Sequence, residues 1–195
     1  MHYNHLGHPC PISHELKSAI AEFLQSDEKK VINTPLNQLL NTLPRRGKVE
    51  WIGLRPAKRV SMETVSRVDL STDAGLIGDR YAGRSGERQI TLIQAEHLPA
   101  IAAYLGLEEI APELLRRNLL ITGINLLALK SKVINIGTAQ IEITGQCHPC
   151  SRMEEIFGPG GYNAVRGHGG ITARVIKSGE LSVGDPVWYH PTEQI

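Results

Sequence analysis

Residues 133–153 read V-I-N-I-G-T-A-Q-I-E-I-T-G-Q-C-H-P-C-S-R-M, and they indicate the fold class. Val133–Ile136 and Ala139–Thr144 are short runs with the apolar alternation of half-buried strands. Further short strands are predicted elsewhere in the chain, at Val49–Leu54, Glu63–Leu70, Gln89–Gln94, Leu119–Thr122, Thr172–Lys177 and Pro186–Tyr189. Many short strands separated by glycines, without regular βαβα alternation, favour a barrel or sandwich over a doubly wound fold.

A few helices and turns are predicted beside these strands. Ala95–Leu105 carries apolar residues on one face and ends at Gly106, and Pro112–Arg117 begins with a proline. A hairpin is predicted around Ser178-Gly179, and a turn at Gly184-Asp185. The chain is therefore expected to be mainly β with a few helices.

The N-terminal region has a different character from the rest. Helical apolar spacing predicts a helix at His14–Gln25, and a second short helix is expected at Pro35–Leu43. The run Pro44–Gly47 is a predicted boundary. We therefore expect an N-terminal helical extension at 1–46 and a β domain at 47–195.

The first fourteen residues contain five possible metal ligands: His2, His5, His8, Cys10 and His14. These side chains could bind zinc or nickel. The alternative is a mobile terminal segment without a ligand, which their irregular spacing favours.

Composition excludes several classes of function. The chain has 195 residues, of which 41% are hydrophobic, so it can bury a substantial core. Its formal net charge is +1 and only 5% of its residues are aromatic, which disfavours nucleic-acid binding through charge or base stacking. The most apolar stretch, Leu119–Leu129, is too short and too polar to span a bilayer. With no apolar leader visible and an odd number of cysteines, a cytoplasmic protein is expected.

Cys147 and Cys150 lie three residues apart at the end of a predicted strand, close to Arg152. Sulfur in this setting could carry a persulfide, bind a soft metal or exchange disulfides, and a pair of small buried side chains is the remaining alternative. A four-cysteine zinc site is excluded because only Cys10 remains. A thioredoxin-type motif is disfavoured because such motifs follow an early strand of a βαβ unit.

Three other segments carry residues suited to an anion, namely Gly78–Arg88, Arg116–Asn118 and Gly158–Gly170. Arginine side chains and backbone amides bind phosphate-like groups, and Arg166 and His168 could add donors in the third segment. Each segment also has a structural interpretation: a solvated surface loop, or arginines placed favourably at a helix C-terminus. The pattern alone leaves both interpretations open.

Several motifs occur in an order that resembles a known family. They are Gly78-Asp79-Arg80-x-x-Gly83, Gln89–Gln94 followed by a helix, Arg116-x-Asn118-Leu119 with Gly123, Pro149-Cys150, and Gly169-Gly170-Ile171 followed by Gly184-Asp185. Together they look like a MOSC domain, the C-terminal domain of molybdenum cofactor sulfurases. The resemblance extends from Gly47 to Tyr189.

This resemblance implies a MOSC-type β-barrel with peripheral helices and one functional cysteine. By position that cysteine is Cys150, which follows Pro149, while Cys147 lies outside the family pattern and is treated as accessory. The neighbouring Arg152 would favour the Cys150 thiolate.

One activity implied by the resemblance is the reduction of small N-hydroxylated compounds at a bound molybdenum cofactor. The Cys150 thiolate would be the metal ligand, and an external reductase would supply electrons. Arg80, Arg116 and Asn118 would contact the cofactor, and Asp79 would lie close to the metal. We favour this molybdenum-dependent oxidoreductase because several arginine-bearing loops suggest an anionic ligand.

The alternative implied by the resemblance is a sulfur carrier that supports the assembly of a metal–sulfur cofactor. Cys150 would hold a persulfide received from a pyridoxal-phosphate-dependent cysteine desulfurase, and Arg152 would stabilise its charge. Residues 1–46 are too few for a pyridoxal-phosphate domain, so the persulfide would have to come from a partner. A third, weaker hypothesis is a thiol–disulfide protein that uses both Cys147 and Cys150.

Overall fold

The computed structural model describes residues 35–80 and 85–190, which fall into two compact units, 1–42 and 43–195. In the first unit the described part holds one short helix, α1 (Leu36–Asn41), which follows Pro35 and has no buried residue. The predicted helix at His14–Gln25 and the histidine-rich tip lie outside the described residues. The domain boundary expected after residue 46 stays a prediction.

The second unit is built mainly from short strands. In chain order they are β1 (Gly47–Leu54), β2 (Glu63–Val65), β3 (Arg67–Ser71), β4 (Gly75–Leu76), β5 (Ile90–Gln94), β6 (Leu119–Thr122), β7 (Val133–Ile136), β8 (Ala139–Gln146), β9 (Ile171–Lys177), β10 (Gly179–Ser182) and β11 (Pro186–Tyr189). Seven of them close into a barrel in the order β1, β11, β7, β8, β9, β5, β6 and back to β1. Neighbours in the barrel are antiparallel except β5 and β6, which are parallel. The expected mainly β barrel is confirmed.

A small second sheet of β10, β3 and β4 corrects two expectations. The single strand predicted at Glu63–Leu70 is divided, because β2 pairs with β1 of the barrel whereas β3 pairs with β10. The predicted hairpin at Ser178-Gly179 is wrong, because β9 pairs with β8 and β5 but β10 leaves the barrel. A side chain at Gly179 would place its Cβ 2.7 Å from the backbone nitrogen of Ala139, so glycine allows this close crossing.

Helices lie outside the barrel. They are α2 (His97–Leu105), the 3₁₀ turns η1 (Pro112–Leu115) and η2 (Leu126–Leu129), α3 (Ser151–Phe157) and α4 (Gly161–Val165). The predicted helix end at Gly106 is confirmed, with a left-handed φ of 70°. Among the described residues, none of the helices combines the length and hydropathy needed to cross a bilayer.

Two hydrophobic clusters hold these layers together. One fills the barrel with the inward side chains of the strands, as in the alternating burial of β8. The other packs the helices on the barrel and includes Ile93, Ile101, Leu115, Met153 and Val165, none more than 1% exposed. Because burying one such side chain stabilises by about 1.5–3 kcal/mol, the second cluster anchors α3 and α4 on β5 and β6, which contribute Ile93 and Leu120.

Candidate functional site

The two cysteines in the segment between β8 and α3 differ in burial. Both are free thiols, but Cys147 is buried and Cys150 is exposed. The backbone N–H of Cys147 donates to the carbonyl of Gly170 at 2.9 Å. A Cβ on Gly169 would lie 2.2 Å from the Cys147 oxygen, and one on Gly170 would lie 2.0 Å from the Leu92 oxygen. The glycine pair therefore lets three backbones approach closely, which fixes the residues that lead into Cys150.

Arg117 is hydrogen-bonded to the same segment. Its side chain is only 8% exposed, and it donates from Nε to the Gly169 carbonyl at 2.6 Å and from Nη1 to the Leu115 carbonyl at 2.9 Å. Its Nη2 reaches the Cys147 carbonyl at 3.4 Å. Burial lowers the pKa of the Arg117 guanidinium, and the electrostatic influence of the neighbouring Cys147 and Cys150 opposes that shift. A buried cation thus ties together three segments around the cysteines.

A polar network lies beside this cation, next to the barrel strands β1, β5 and β6, and we define it as Arg55, Asp79, Thr91 and Asn118. Asp79 has a side chain with no exposed surface and accepts from Arg55 at both carboxylate oxygens, at 3.0 and 2.7 Å. It also accepts from the Arg55 backbone N–H at 2.6 Å. A bidentate pair of this kind holds both side chains in one geometry.

Asn118 is the centre of the polar network and is fully buried. Its oxygen accepts from the Thr91 N–H at 3.1 Å, the Thr91 hydroxyl at 2.8 Å and Arg55 Nη2 at 3.0 Å. Its nitrogen donates to Asp79 Oδ1 at 3.0 Å and to the Gly53 carbonyl at 3.2 Å. Every polar atom of the Asn118 side chain is therefore satisfied within the protein.

A cavity of about 350 Å³ opens beside Cys150, and we call it the cationic cavity. It is large enough for a small-molecule ligand. Its lining includes seven Lys or Arg side chains and one carboxylate, and consists of Arg55, Lys58, Arg59, Arg80, Arg116, Arg117, Cys150, Ser151, Arg152, Met153 and Glu155. Glu155 contacts Arg152 at 2.7 Å and Arg59 at 3.5 Å. The excess of cations suits an anionic ligand.

Arg116 shows how crowded these charges are. It follows η1 in the left-handed region, with φ of 55°, and its Nη1 donates to the Val60 carbonyl at 2.8 Å. Burial lowers the pKa of its guanidinium, and the charges of Arg152 and Arg55 lower it further. An anion bound in the cationic cavity would relieve this repulsion.

A second cavity of about 360 Å³ adjoins the first, and we call it the apolar cavity. Arg59, Arg116 and Arg152 line both cavities. The other lining residues of the apolar cavity are Val60, Ser61, Met62, Glu113, Leu114 and Ile156.

A family model for the MOSC domain matches residues 64–188, more than half of the chain. The chain belongs to the MOSC domain family. Solved structures with a similar fold include YuaD from Bacillus subtilis, with a TM-score of 0.64, 21% identity, and coverage of 75% of this chain and 97% of that one. YiiM from Geobacillus stearothermophilus has a TM-score of 0.62 and 16% identity over 74% of this chain and 75% of its own. YiiM from Escherichia coli has a TM-score of 0.58 and 20% identity over 76% and 71%. None of the curated proteins matches.

The MOSC domain brings four of the predicted site residues together. Cys150, Arg152, Arg80 and Arg116 all line the cationic cavity. Arg80 is the last described residue before the gap at 81–84, so the middle of the glycine- and arginine-containing loop lies outside the described residues.

Other predicted residues of the MOSC domain do not line either cavity. Asp79 and Asn118 lie behind Arg55 and reach the cationic cavity only through it. Arg166 is exposed at the end of α4, and the ring of His168 lies 4.9 Å from that of His97. Burial lowers the pKa of His97, with the neighbouring His168 adding to the shift. Roles for these residues in cofactor binding stay predictions.

Sequence reasoning missed Arg55, Lys58 and Arg59 as cavity residues, and it included Arg117 only as part of the segment Arg116–Asn118. The first three follow β1 in the run R-P-A-K-R, which reads as an ordinary charged turn. Three cations in five residues directly after a strand were the available signal. Nothing in the sequence distinguished Arg117 from Arg116.

Proposed function

We propose that this MOSC domain protein binds molybdenum cofactor through the Cys150 thiolate and reduces small N-hydroxylated compounds. The observation that supports the proposal most strongly is the exposed Cys150 thiol beside a cavity lined by seven cations and one carboxylate. A thiolate is a good ligand for a soft, redox-active metal, and the cations match a pterin that ends in a phosphate.

Different residues of the site would bind different parts of the cofactor. Cys150 would ligate the metal, and Arg80 and Arg116 would bind the anionic part of the cofactor, together with Arg55. Arg117 would keep Cys150 in place through the carbonyls of neighbouring segments. The bound cofactor would supply the two-electron chemistry.

The proposed reaction converts an N-hydroxyl compound to the corresponding N–H compound and water. It consumes two electrons and two protons for each N–O bond that breaks. The electrons would come from an external reductase.

Metal content tests this proposal directly. Protein produced anaerobically with molybdate should contain molybdenum and pterin in near-equal amounts to the chain, measured by elemental mass spectrometry and a pterin assay. Cys150→Ala should lose the molybdenum, whereas Cys147→Ala should keep it, because Cys147 is buried and does not line the cavity. Full molybdenum in Cys150→Ala would refute the assignment.

A second candidate function rests on the exposure of the same thiol. An accessible Cys150 can be reached by the persulfide of a partner desulfurase. In that transfer the Cys150 thiolate attacks the terminal sulfur of the partner's persulfide, a new S–S bond forms on Cys150, and the partner's thiolate leaves. Anaerobic incubation with a cysteine desulfurase and cysteine should then add the mass of one sulfur to the Cys150 peptide. An unchanged peptide mass would exclude this carrier role.

A further inference from the structure

The proposed function uses one of the two cysteines between β8 and α3 and leaves the other without a role. Cys150 is exposed and lines the cationic cavity, whereas Cys147 is only 5% exposed. Any small hydrophobic side chain would fill the space of Cys147, so packing alone does not require sulfur there. An accessible thiol with a second thiol close by is typical of cysteines that oxidise reversibly.

The backbone between the two cysteines is held only near its ends. The Cys147 N–H donates to the Gly170 carbonyl and the Cys150 carbonyl accepts from the Met153 N–H, both at 2.9 Å. Between these bonds, no described residue hydrogen-bonds to the backbone of residues 148–149, which belong to no helix or strand. A four-residue turn brings its first and last Cα atoms within about 7 Å, which is also the limit for a disulfide. Cys147 and Cys150 can therefore meet through a local turn that breaks no helix or strand bond.

One buried cation lies within electrostatic reach of both cysteines. Arg117 Nη2 reaches the Cys147 carbonyl at 3.4 Å, and both Cys147 and Cys150 act electrostatically on its guanidinium. Arg116 and Arg152 line the cationic cavity together with Cys150. When a thiolate attacks a peroxide, negative charge moves from the sulfur to the departing oxygen, and fixed cations stabilise that charge. Cys150 therefore has the accessibility and the surroundings of a peroxide-reactive cysteine.

We propose that Cys150 and Cys147 form a reversible disulfide when a hydroperoxide oxidises the protein, and that this disulfide removes the thiolate of the candidate site. The disulfide does not depend on the proposed function, whereas its consequence rests on that function. While the disulfide exists, Cys150 can neither ligate a metal nor accept a persulfide. Cys147 is the resolving residue, and its burial protects it from the oxidant until Cys150 has reacted.

The disulfide forms in two steps. First, the Cys150 thiolate attacks the terminal oxygen of the hydroperoxide, the O–O bond breaks, and a sulfenic acid forms on Cys150 while the departing alcohol or water takes up a proton. Next, the Cys147 thiol attacks that sulfur, an S–S bond forms, and the hydroxyl group leaves as water with the thiol proton. The two thiols lose two electrons, which the hydroperoxide gains. A dithiol returns both thiols by exchange.

Peptide mass tests the disulfide in full-length protein without cofactor. The parent protein carries Cys10→Ser, which removes the chain's third cysteine, so that thiol counts report the pair alone. Reduced parent protein is treated with a stoichiometric amount of hydrogen peroxide. The tryptic peptide 133–152, which contains both cysteines, should lose two hydrogen atoms, and dithiothreitol should restore its mass.

Two further variants of the parent separate the roles of the cysteines. In Cys147→Ala, Cys150 should stop at a sulfenic acid that dimedone traps, and excess peroxide should carry it to a sulfinic acid that dithiothreitol does not reduce. In Cys150→Ala, the buried Cys147 should react with peroxide at least about tenfold more slowly than Cys150 does in the parent. Thermal melting checks that both variants are folded, and the parent peptide decides the proposal if either is not.

The parent protein also gives the outcomes that would overturn the proposal. An intact Cys147 thiol beside a sulfinic acid on Cys150 would do so, because Cys147 would then not resolve the oxidised residue. A disulfide between two chains, seen on a non-reducing gel in place of the internal one, would overturn it as well.

Molybdenum content tests the consequence of the disulfide. Reduced, oxidised and re-reduced parent protein are each supplied with molybdenum cofactor, and only the oxidised sample should fail to bind the metal. Equal molybdenum in all three samples would overturn the consequence. If no sample binds molybdenum, the proposed function fails, and the peptide mass still decides the disulfide.

Discussion

The polar network and the cationic cavity meet at Arg55, and they differ in how their charges are balanced. In the network, the buried Asp79 carboxylate receives the Arg55 guanidinium, and every polar atom of Asn118 has a partner. The lining of the cavity carries seven cations and one carboxylate, Glu155, and only Arg55 and Arg117 among those cations are hydrogen-bonded to buried groups of the framework. Complete satisfaction indicates a structural role, whereas an excess of one charge indicates a place for a ligand.

Arg116 and Arg117 show the same difference between neighbouring residues. Arg117 is 8% exposed and donates to three backbone carbonyls, so its guanidinium has a structural role. Arg116 makes one bond to the Val60 carbonyl and faces other cations. Two arginines adjacent in sequence therefore have different roles because one is enclosed by packing.

The largest effect is expected in the polar network. Asn118→Ala should lower the free energy of unfolding by about 3 kcal/mol, because it leaves the donors of Thr91 and Arg55 buried without their acceptor. Urea denaturation measures the change. Asn163→Ala, at an exposed position of α4, is the control and should change it by less than about 0.5 kcal/mol. A loss below about 1 kcal/mol in Asn118→Ala would show that the network is not structural.

The arginine pair gives the second prediction. Arg117→Met should lower the free energy of unfolding by about 2 kcal/mol, because the carbonyls of Leu115 and Gly169 lose their donors and only part of this is offset by removing a buried charge. Arg116→Met should change it by less than about 0.5 kcal/mol, because the lost bond is offset by reduced repulsion. If both variants lost the same free energy of unfolding, the structural role assigned to Arg117 but not to Arg116 would be contradicted.

The next prediction concerns the binding of an anion in the cationic cavity. Pyrophosphate at ten times its Kd should stabilise the protein by about 1.4 kcal/mol, with binding weakened by salt. Arg116→Gln should raise the Kd about tenfold, measured by calorimetry at low ionic strength.

Arg166→Gln is the control for Arg116→Gln. Arg166 is exposed and lines neither cavity, so its replacement should leave the Kd of pyrophosphate unchanged. A tenfold loss there instead would favour the sequence-based expectation that Arg166 contributes to the anion site.

The smallest effect concerns the attachment of α4 to α3. The Glu154 carboxylate accepts from the N–H groups of Tyr162 and Gly160, both at 2.7 Å, and these bonds lower its pKa below the ordinary 4.5. A lowered folded-state pKa contributes stability that is present above about pH 4.5 and lost as pH falls through the folded value. Glu154→Gln should therefore flatten the stability profile below that pH, measured by thermal melting. An unchanged profile would show that the carboxylate contributes nothing.

Local patterns predicted the strands well and the helices after Cys150 poorly. Leu119–Thr122, Val133–Ile136 and Pro186–Tyr189 have the predicted bounds, because each is a short, mostly apolar run with a glycine close to one end. No helix was predicted at α3, and α4 lies within the segment Gly158–Gly170, for which a surface loop was one interpretation. Their glycines lie between the helices, with Gly158 and Gly160 at positive φ, and their apolar faces are buried by residues distant in sequence.

By itself, the sequence determined the positions of most barrel strands and the resemblance to the MOSC family, and the preference for Cys150 over Cys147 stays a prediction. Only the tertiary structure decided which cations line the cavity beside Cys150 and which of these are hydrogen-bonded into the framework. The reason is that burial depends on contacts between remote segments. Arg117 is held by the carbonyl of Gly169, 52 residues away, whereas the side chain of Arg116 donates to the carbonyl of Val60.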